Sequence, residues 1–542
     1  MFTDFEHIEP DALRARLESE ARPPTTDALL DRAAARHPEK TALDFFDDGV
    51  ALTWRAFQAA TMQAANAFAS LGIGKGVHVG VQLPNVAEFP ITWLALARLG
   101  AVMVPINVAY TARELDYILK DSDAEYFVMH AELRAAYDAL EPKPVPRERV
   151  IVVGERQRDF AHHWPALLDG ASPAFTQRVS VAPDDLMNIQ YTSGTTGFPK
   201  GCMLPHRYWV TIGVACAASF ATPIERVYGG FNLFYMVVQR MLMHCMVQGS
   251  TLSVPRRPSM RDFMAHVRAT RADFAAVYES SVYKQPAHAD DGKNALRIVH
   301  SVGLNKAYHA DFERRFNVRT QEIYGMTETG LALYVPVHEI ERTLGTGTCG
   351  VAAPFIRTKI LDEEGRPVAP GEAGELWVKG DGLLKGYYKK PEANAESFRD
   401  GWFRTGDQFR EDSRGFHTIL GRFKDMIRRS GENIAAREVE AVLRMLPEVQ
   451  DAAVVPVPDD YRGEEVKAYL ALMPGRSRDD LAPDRVFAHC ASHLAPFKVP
   501  RYVAYRESFP RTESGRVEKK KLIAETADLR LDSYDRHDKL WR

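Results

Sequence analysis

Residues 191–201 read YTSGTTGFPKG, directly behind a short apolar run, Leu186 to Gln190. An apolar run of this length predicts a strand, and the segment after it predicts a phosphate-holding loop. Gly194 and Gly197 let backbone N–H groups come close to phosphate oxygens, and the hydroxyls of Thr192, Ser193, Thr195 and Thr196 add donors or a metal ligand. Lys200 supplies a movable positive charge. The string is not a Walker A loop, because Phe198-Pro199 separates the lysine from Gly197. A bare SGTTG would be read as a polar surface turn; the full eleven-residue string is far more specific.

Outward from that loop the chain alternates helical and strand-like segments. Thr53 to Leu71 is alanine-rich with helical periodicity, Val77 to Leu83 is a short apolar strand, Ala87 to Leu99 a helix, and Ala101 to Ile106 another strand. The rhythm continues at Ala124 to Met129 and Val150 to Val153, and it implies parallel sheets with helical crossovers. After about Gly345 the texture becomes short strands joined by Gly-, Pro- and acid-rich turns. From Glu438 a helix, two strands and a further helix follow, a compact α/β tail. The expected fold class is α/β. A large N-terminal domain of layered α/β subdomains (1–421) carries a small β-rich unit at about 345–420. A mobile small α/β domain (422–542) follows, and the charged stretch from about Asp528 is expected to lie on the surface or fray.

The 542 residues exceed one compact core, so roughly two to four domains are expected. Sixty-nine basic against 72 acidic residues give a net charge of −3, which argues against a dedicated nucleic-acid binder. The N-terminus is charged and broken by proline, unlike a signal peptide, and no apolar run reaches the roughly 18 residues of a membrane span. Cys202, Cys216, Cys245, Cys349 and Cys490 have no metal-site or disulfide spacing, so reduced core thiols and a cytoplasmic location are expected.

TSGTTGFPKG is similar to the signature loop of the adenylate-forming superfamily, which includes acyl-CoA synthetases, stand-alone adenylation domains and firefly-type luciferases. Four more signatures, one upstream and three downstream, stand in collinear order over nearly the whole chain. LARLGAVMVPIN (96–107) resembles a structural motif, IYGMTETG (323–330) the adenine- and metal-binding motif, GWFRTGD (401–407) the ribose motif, and GRFKDMIRRSGENI (421–434) the interdomain hinge and thiol-tunnel motif. The resemblance implies ATP, Mg²⁺ and coenzyme A. A carboxylic acid would attack the α-phosphorus of ATP to give acyl-AMP and pyrophosphate, and a thiol would then displace AMP. By the same resemblance Lys200 and the hydroxyl loop hold phosphates, while Thr195 and Glu328 hold the metal. Tyr324, Gly325, Met326 and Thr327 border the adenine together with Gly303, Leu304 and Asn305. Asp407 accepts the ribose hydroxyls, Ile419 and Arg422 border the nucleotide, Lys424 is the pivot, and Ser430, Gly431 and Glu432 line the pantetheine tunnel. The bland readings are a helix-capping role for Glu328 and a turn aspartate for Asp407; the collinear context outweighs both.

Three positions depart from the family pattern. Arg516 in PRTESGRVEKKKL stands where a lysine is usual, so either Arg516 or Lys519 is expected to supply the adenylation cation. Tyr235 replaces a histidine in the aromatic-gate segment, and Ala436 replaces a proline. Tyr235, Val238, Ser301, Val302, Gly325, Met326 and Leu331 are the candidate acyl-pocket residues. The spacing around the gate is similar to the crotonobetaine/carnitine and short- or medium-chain acyl-CoA ligase branch, which implies a small, polar or cyclic acid. Carrier-protein loading, a luciferase-like oxygenase and a non-catalytic nucleotide binder are the competing readings, and the sequence leaves a homodimer open.

Overall fold

The computed structural model describes residues 9–175, 179–192, 199–220, 222–277, 282–302, 305–422, 426–429, 432–459, 462–494, 496–512 and 516–542. The described chain forms two compact units, one built from 9–192, 199–358 and 378–403, the other from 359–377 and 404–542.

In the first unit one sheet runs in the order His162–His163, Val150–Val153, Tyr126–His130, His78–Gln82, Val102–Pro105, Leu186–Thr192, Lys200–Pro205. All neighbours are parallel except the last pair, an antiparallel hairpin in which Thr192 faces Lys200. The helices predicted between these strands are present. Trp54–Ser70 starts one residue inside its predicted bounds because the Thr53 hydroxyl accepts the Ala56 N–H at 3.1 Å and caps it. Glu88–Leu99 is buried from Phe89 to Leu99, as a crossover between covered sheets requires.

A second sheet in this unit carries, in order, Thr348–Ala352, Gly330–Tyr334, Arg319–Met326, Ile298–Ser301, Phe274–Val277, Arg226–Tyr228, Thr251–Ser253, Thr41–Phe45 and Val50–Thr53. The strands from Arg319–Met326 to Thr41–Phe45 are parallel. Two almost wholly buried helices, His206–Ala218 and Met236–Gln248, belong to this unit. They cross so closely that a Cβ on Gly213 would stand 2.8 Å from the Met243 Cβ, which reserves the position for glycine.

A polar chain is buried among them. The Arg240 guanidinium donates to His300 Nδ1 at 3.0 Å, and His300 Nε2 lies 2.7 Å from Gln321 Oε1. Gln321 in turn donates to the carbonyls of Ser219 and Val335. His300 can satisfy both neighbours only as the neutral Nε2–H tautomer, and burial with the adjacent Arg240 drives its pKa well down. His244, one turn along from Arg240, packs on Phe220 and Phe274, and neither of its ring nitrogens has a hydrogen-bond partner among the described residues. Burial, then the Arg240 charge, pushes its pKa down to about 3 from 6.5. Between those values the unfolded chain binds a proton that the folded one refuses, so stability is lost as pH falls, by about 1.4 kcal/mol per unit. His244→Leu should therefore flatten the fall in urea midpoint between pH 6.5 and pH 4, with His300 and His206, whose pKa burial lowers to about 4, contributing to the residual slope. A wild-type-like slope in the variant would dismiss this account.

The second unit contains the predicted helix–strand–strand–helix tail. Val449–Asp459 pairs antiparallel with Gly463–Leu472, which runs parallel to Tyr502–Arg506. The helices Ala436–Leu443 and Pro483–His493 bring Val439, Leu443 and Val486 into a core with Val454 and Leu470. The charged tail does not fray. Tyr534–Asp535 and Leu540–Trp541 extend this sheet, the Lys467 ammonium donates to the carbonyls of Leu529 and Leu531, and Arg501 and Arg542 both hold the fully buried Asp535. Among the described residues no helix is long and apolar enough to cross a membrane, and all five cysteines are buried and free.

Candidate active site

The phosphate-loop residues Ser193, Gly194, Thr195, Thr196 and Gly197 lie outside the described residues, as do Gly303, Leu304, Lys424, Ser430 and Gly431. What flanks the loop is well defined. Tyr191 donates its hydroxyl to Asp121 Oδ2 at 2.8 Å, and Tyr117 donates to the Pro199 carbonyl at 3.0 Å. The hairpin register and these two tyrosines therefore fix the spacing of the loop's ends.

Lys200 opens the second hairpin strand, and its ammonium lies 4.0 Å from the centre of the Tyr387 ring. Tyr387 sits in a strip of backbone laid against that strand. Met203 N–H donates to the Gly386 carbonyl, Lys385 N–H to the Met203 carbonyl, and Tyr388 N–H to the Gly201 carbonyl. Asn394 closes the strip by accepting the Tyr387 N–H at 2.6 Å and donating back to its carbonyl at 2.9 Å. The Tyr387 hydroxyl then donates to Glu328 Oε1 at 3.0 Å. Burial, reinforced by the Glu328 charge, raises the pKa of this phenol far above its usual value, so it remains a donor. Cys202 is buried beside the same groups, and its thiol pKa is raised by burial first and by Glu328 second.

Glu328 is 6% exposed and its own carbonyl accepts the Leu384 N–H. It follows the hairpin strand Arg319–Met326, where Tyr324 faces Leu333 and Gly325 faces Leu331 with a register shift between them. The shift brings the Gly330 carbonyl to 2.0 Å from where a Cβ on Gly325 would stand, so this glycine is demanded by backbone crowding. Thr327 is fixed through its carbonyl, which accepts the Tyr208 hydroxyl at 2.9 Å. Met326 receives a long contact, 3.8 Å, from the Tyr324 hydroxyl.

Ser301 ends Ile298–Ser301 with its hydroxyl buried and without a hydrogen-bond partner among the described residues, while the next residue, Val302, is 47% exposed. Asn305 turns the chain beyond it, accepting the Ala307 N–H at 3.0 Å. Tyr235 precedes Met236–Gln248 and packs on Phe234 at 4.5 Å, and the Phe234 carbonyl accepts Gln190 Nε2 at 2.6 Å. That bond ties the gate segment to the strand feeding the phosphate loop. Val238 lies against Gly229 in the core, and Leu331 is likewise buried.

In the second unit Asp407 is buried and faces Arg422 across the ladder of Trp402–Glu411 with His417–Arg422; Ile419 faces Phe409 on the same ladder. The turn before Asp407 is held by Glu375, which accepts Arg404, the Trp377 indole and the Gly406 N–H. Glu432 begins the strand Glu432–Ala435, paired with Met426–Arg429. Lys519 forms an ion pair with Glu440 at 2.6 Å, and Arg516, itself exposed, accepts the Thr512 N–H at its carbonyl at 2.7 Å.

The geometry thus joins Lys200, Glu328 and Cys202 around Tyr387, and Asp407 with Arg422 on one ladder. Tyr387 and Glu375 were not anticipated from the sequence; Tyr387 lies far along the chain from Glu328 and Lys200, and Glu375 from Arg404 and Gly406. As a metal ligand Glu328 is a single buried hard oxygen donor. No described group of three or more His, Cys, Asp or Glu could cage an ion. A single buried carboxylate oxygen fits Mg²⁺ held together with substrate phosphates and waters.

The sequence profile described as AMP-binding enzyme matches residues 30–388, and that of the AMP-binding enzyme C-terminal domain matches 438–516. The crotonobetaine/carnitine–CoA ligase of Salmonella agona is 32% identical over 514 residues, covering 91% of this chain and 98% of that protein. Among solved structures, ATP-bound MatB from Rhodopseudomonas palustris aligns at a TM-score of 0.80 and 27% identity, over 94% of this chain and 97% of that one. The o-succinylbenzoate–CoA synthetase MenE from Bacillus subtilis, in complex with ATP and magnesium ion, aligns at 0.78 and 25%, over 93% and 100%. The chain belongs to the AMP-binding enzymes, the adenylate-forming superfamily that includes the acyl-CoA ligases.

Proposed function

We propose that this enzyme is an ATP-dependent carboxylic acid–CoA ligase that forms acyl-AMP and pyrophosphate, then transfers the acyl group to coenzyme A and releases AMP. The observation that carries the reading is the convergence of Lys200 and Glu328 on one buried tyrosine beside the phosphate loop. In the first half-reaction the carboxylate attacks in line, and positive charge stabilises the developing pyrophosphate. Lys200 lifts from the Tyr387 ring to the leaving phosphates. Glu328 and Thr195 hold Mg²⁺, which neutralises phosphate charge when bound. Asp407 accepts the ribose hydroxyls, and Arg422 borders the nucleotide. In the second half-reaction a domain from 422 onward turns about Lys424, and Ser430, Gly431 and Glu432 line the path of the thiol. Five buried free thiols support a reducing, cytoplasmic setting.

The relatives' names and the polar gate residue Tyr235 support a small, polar or cyclic acid. A panel of such acids, assayed for pyrophosphate release with and without coenzyme A, tests the whole reading. Acid-dependent release together with a thioester product is expected. Release without any thioester would move the acceptor to a carrier protein, and no release with any acid would defeat the enzyme assignment.

A further inference from the structure

We infer that Tyr387 is a positioning residue for adenylation, orienting the Glu328 carboxylate for its metal and holding the Lys200 ammonium ready for the phosphates. This rests on the ligase reading above. Nothing in the sequence resemblance assigns Tyr387 a role; the geometry does. Its hydroxyl meets Glu328 Oε1 at 3.0 Å while its ring carries the Lys200 ammonium at 4.0 Å. Glu328 and Lys200 are 128 positions apart in the chain, and this one side chain bridges them.

The ring is itself fixed. Tyr387 is 4% exposed, and its backbone N–H and carbonyl are both clasped by Asn394. An isolated bridge joins Tyr387 to Cys202 across the strand that Lys200 opens. A side chain pinned in this way transmits orientation to whatever it holds.

The two contacts differ in kind, and the difference gives each a function. A hydroxyl donated to one carboxylate oxygen selects one rotamer of Glu328 and leaves the second oxygen to face a cation. Hydrogen-bond partners of metal ligands act in this manner. The ammonium over the ring face is held by the aromatic quadrupole, an attraction weaker than one to phosphate oxygens. Lys200 is therefore kept extended near its working place and kept apart from Glu328, with which it would otherwise form a competing ion pair, and it is released when phosphates arrive.

Tyr387→Phe separates the contacts, since it retains the ring and deletes the hydroxyl. Expected is a rise of about tenfold in the Mg²⁺ concentration that half-saturates pyrophosphate release, with the KM for ATP at saturating metal close to that of the wild type. A readout independent of turnover is the electron paramagnetic resonance titration of Mn²⁺ in the presence of a non-hydrolysable ATP analogue. There Tyr387→Phe should weaken Mn²⁺ by a similar factor, and the loss should vanish in a Glu328→Gln background, where the partner carboxylate is gone. Unaltered Mn²⁺ affinity in Tyr387→Phe, or an equal loss in both backgrounds, overturns the inference, even where the melting temperature falls. A wild type that releases no pyrophosphate with any acid defeats the ligase reading and this inference with it. A wild type that does, paired with a Tyr387→Phe of normal metal dependence, defeats only the role of Tyr387.

Discussion

Replacing Glu328 by glutamine is expected to lower acid-dependent pyrophosphate release by about 10²–10³-fold, the scale seen when one preorganised electrostatic contact is removed. The substitution keeps the size of the side chain. It leaves an amide oxygen to accept the Tyr387 hydroxyl, which reaches Oε1 at 3.0 Å, and removes the negative charge beside the buried Cys202 thiol. Folding should therefore be nearly preserved, since a buried carboxylate whose donors, the Tyr387 hydroxyl and the Cys202 thiol, are neutral is an expensive group to bury and its amide is less so. The deficit should fall on chemistry, appearing in kcat and in the apparent metal constant, with melting behaviour close to wild type. Thermal melting and steady-state pyrophosphate release at graded Mg²⁺ measure both. A variant that melts normally and adenylates at the wild-type rate would remove Glu328 from the metal site and leave it a structural partner of Tyr387.

The fold was legible because its strands are short apolar runs separated by helical periodicity. Val150–Val153 and Val102–Pro105 are buried at every position, so their sequences announce them without alternation. Boundaries shifted by a residue or two where a cap decided them, as at Thr53. The tail lies largely on the surface, as expected, and departs from that only at a few positions, for an electrostatic reason. Its charges imply solvent, but Asp535 is neutralised by Arg501 and Arg542 and can be buried in a strand. Neutralisation depends on partners that the local sequence cannot show.

A site can be proposed from sequence where one segment carries its own signature, as in TSGTTGFPKG, whose residues 193–198 lie outside the described residues, and not where function depends on a meeting of distant segments. Tyr387 lies 59 positions from Glu328, and Glu375 lies 31 from the Gly406 N–H it accepts. Neither segment looks chemical alone. Gly325 shows the converse. Its motif suggests backbone presented to a nucleotide, and the structure adds a reason that needs no ligand, the carbonyl of Gly330 where a Cβ would go.

The second large effect concerns the departure at the end of the chain, where two cations compete for one role. Lys519 is engaged by Glu440, a carboxylate that is 6% exposed and also accepts the Val454 N–H at 2.9 Å. Removing that lysine leaves a buried charge with Arg444 at 3.7 Å as its nearest remaining cation in the helix, a poorer partner. Lys519→Ala should therefore cost up to about 3 kcal/mol of stability in the second unit, the range for breaking a buried pair. Arg516 is exposed and has no ion-pair partner among the described residues, so its guanidinium carries no described structural role. Arg516→Ala is accordingly expected to lower acyl-AMP formation by about 10²-fold with little change in melting. Arg516→Lys should recover part of the rate, since the charge is kept and the planar fork is lost. Acid-dependent pyrophosphate exchange and thermal melting separate the two residues, because one variant should lose chemistry and the other stability. Lys519→Ala losing adenylation at wild-type stability, with Arg516→Ala unimpaired, would reverse the assignment. Both variants adenylating normally would mean that no cation in this segment serves the first half-reaction.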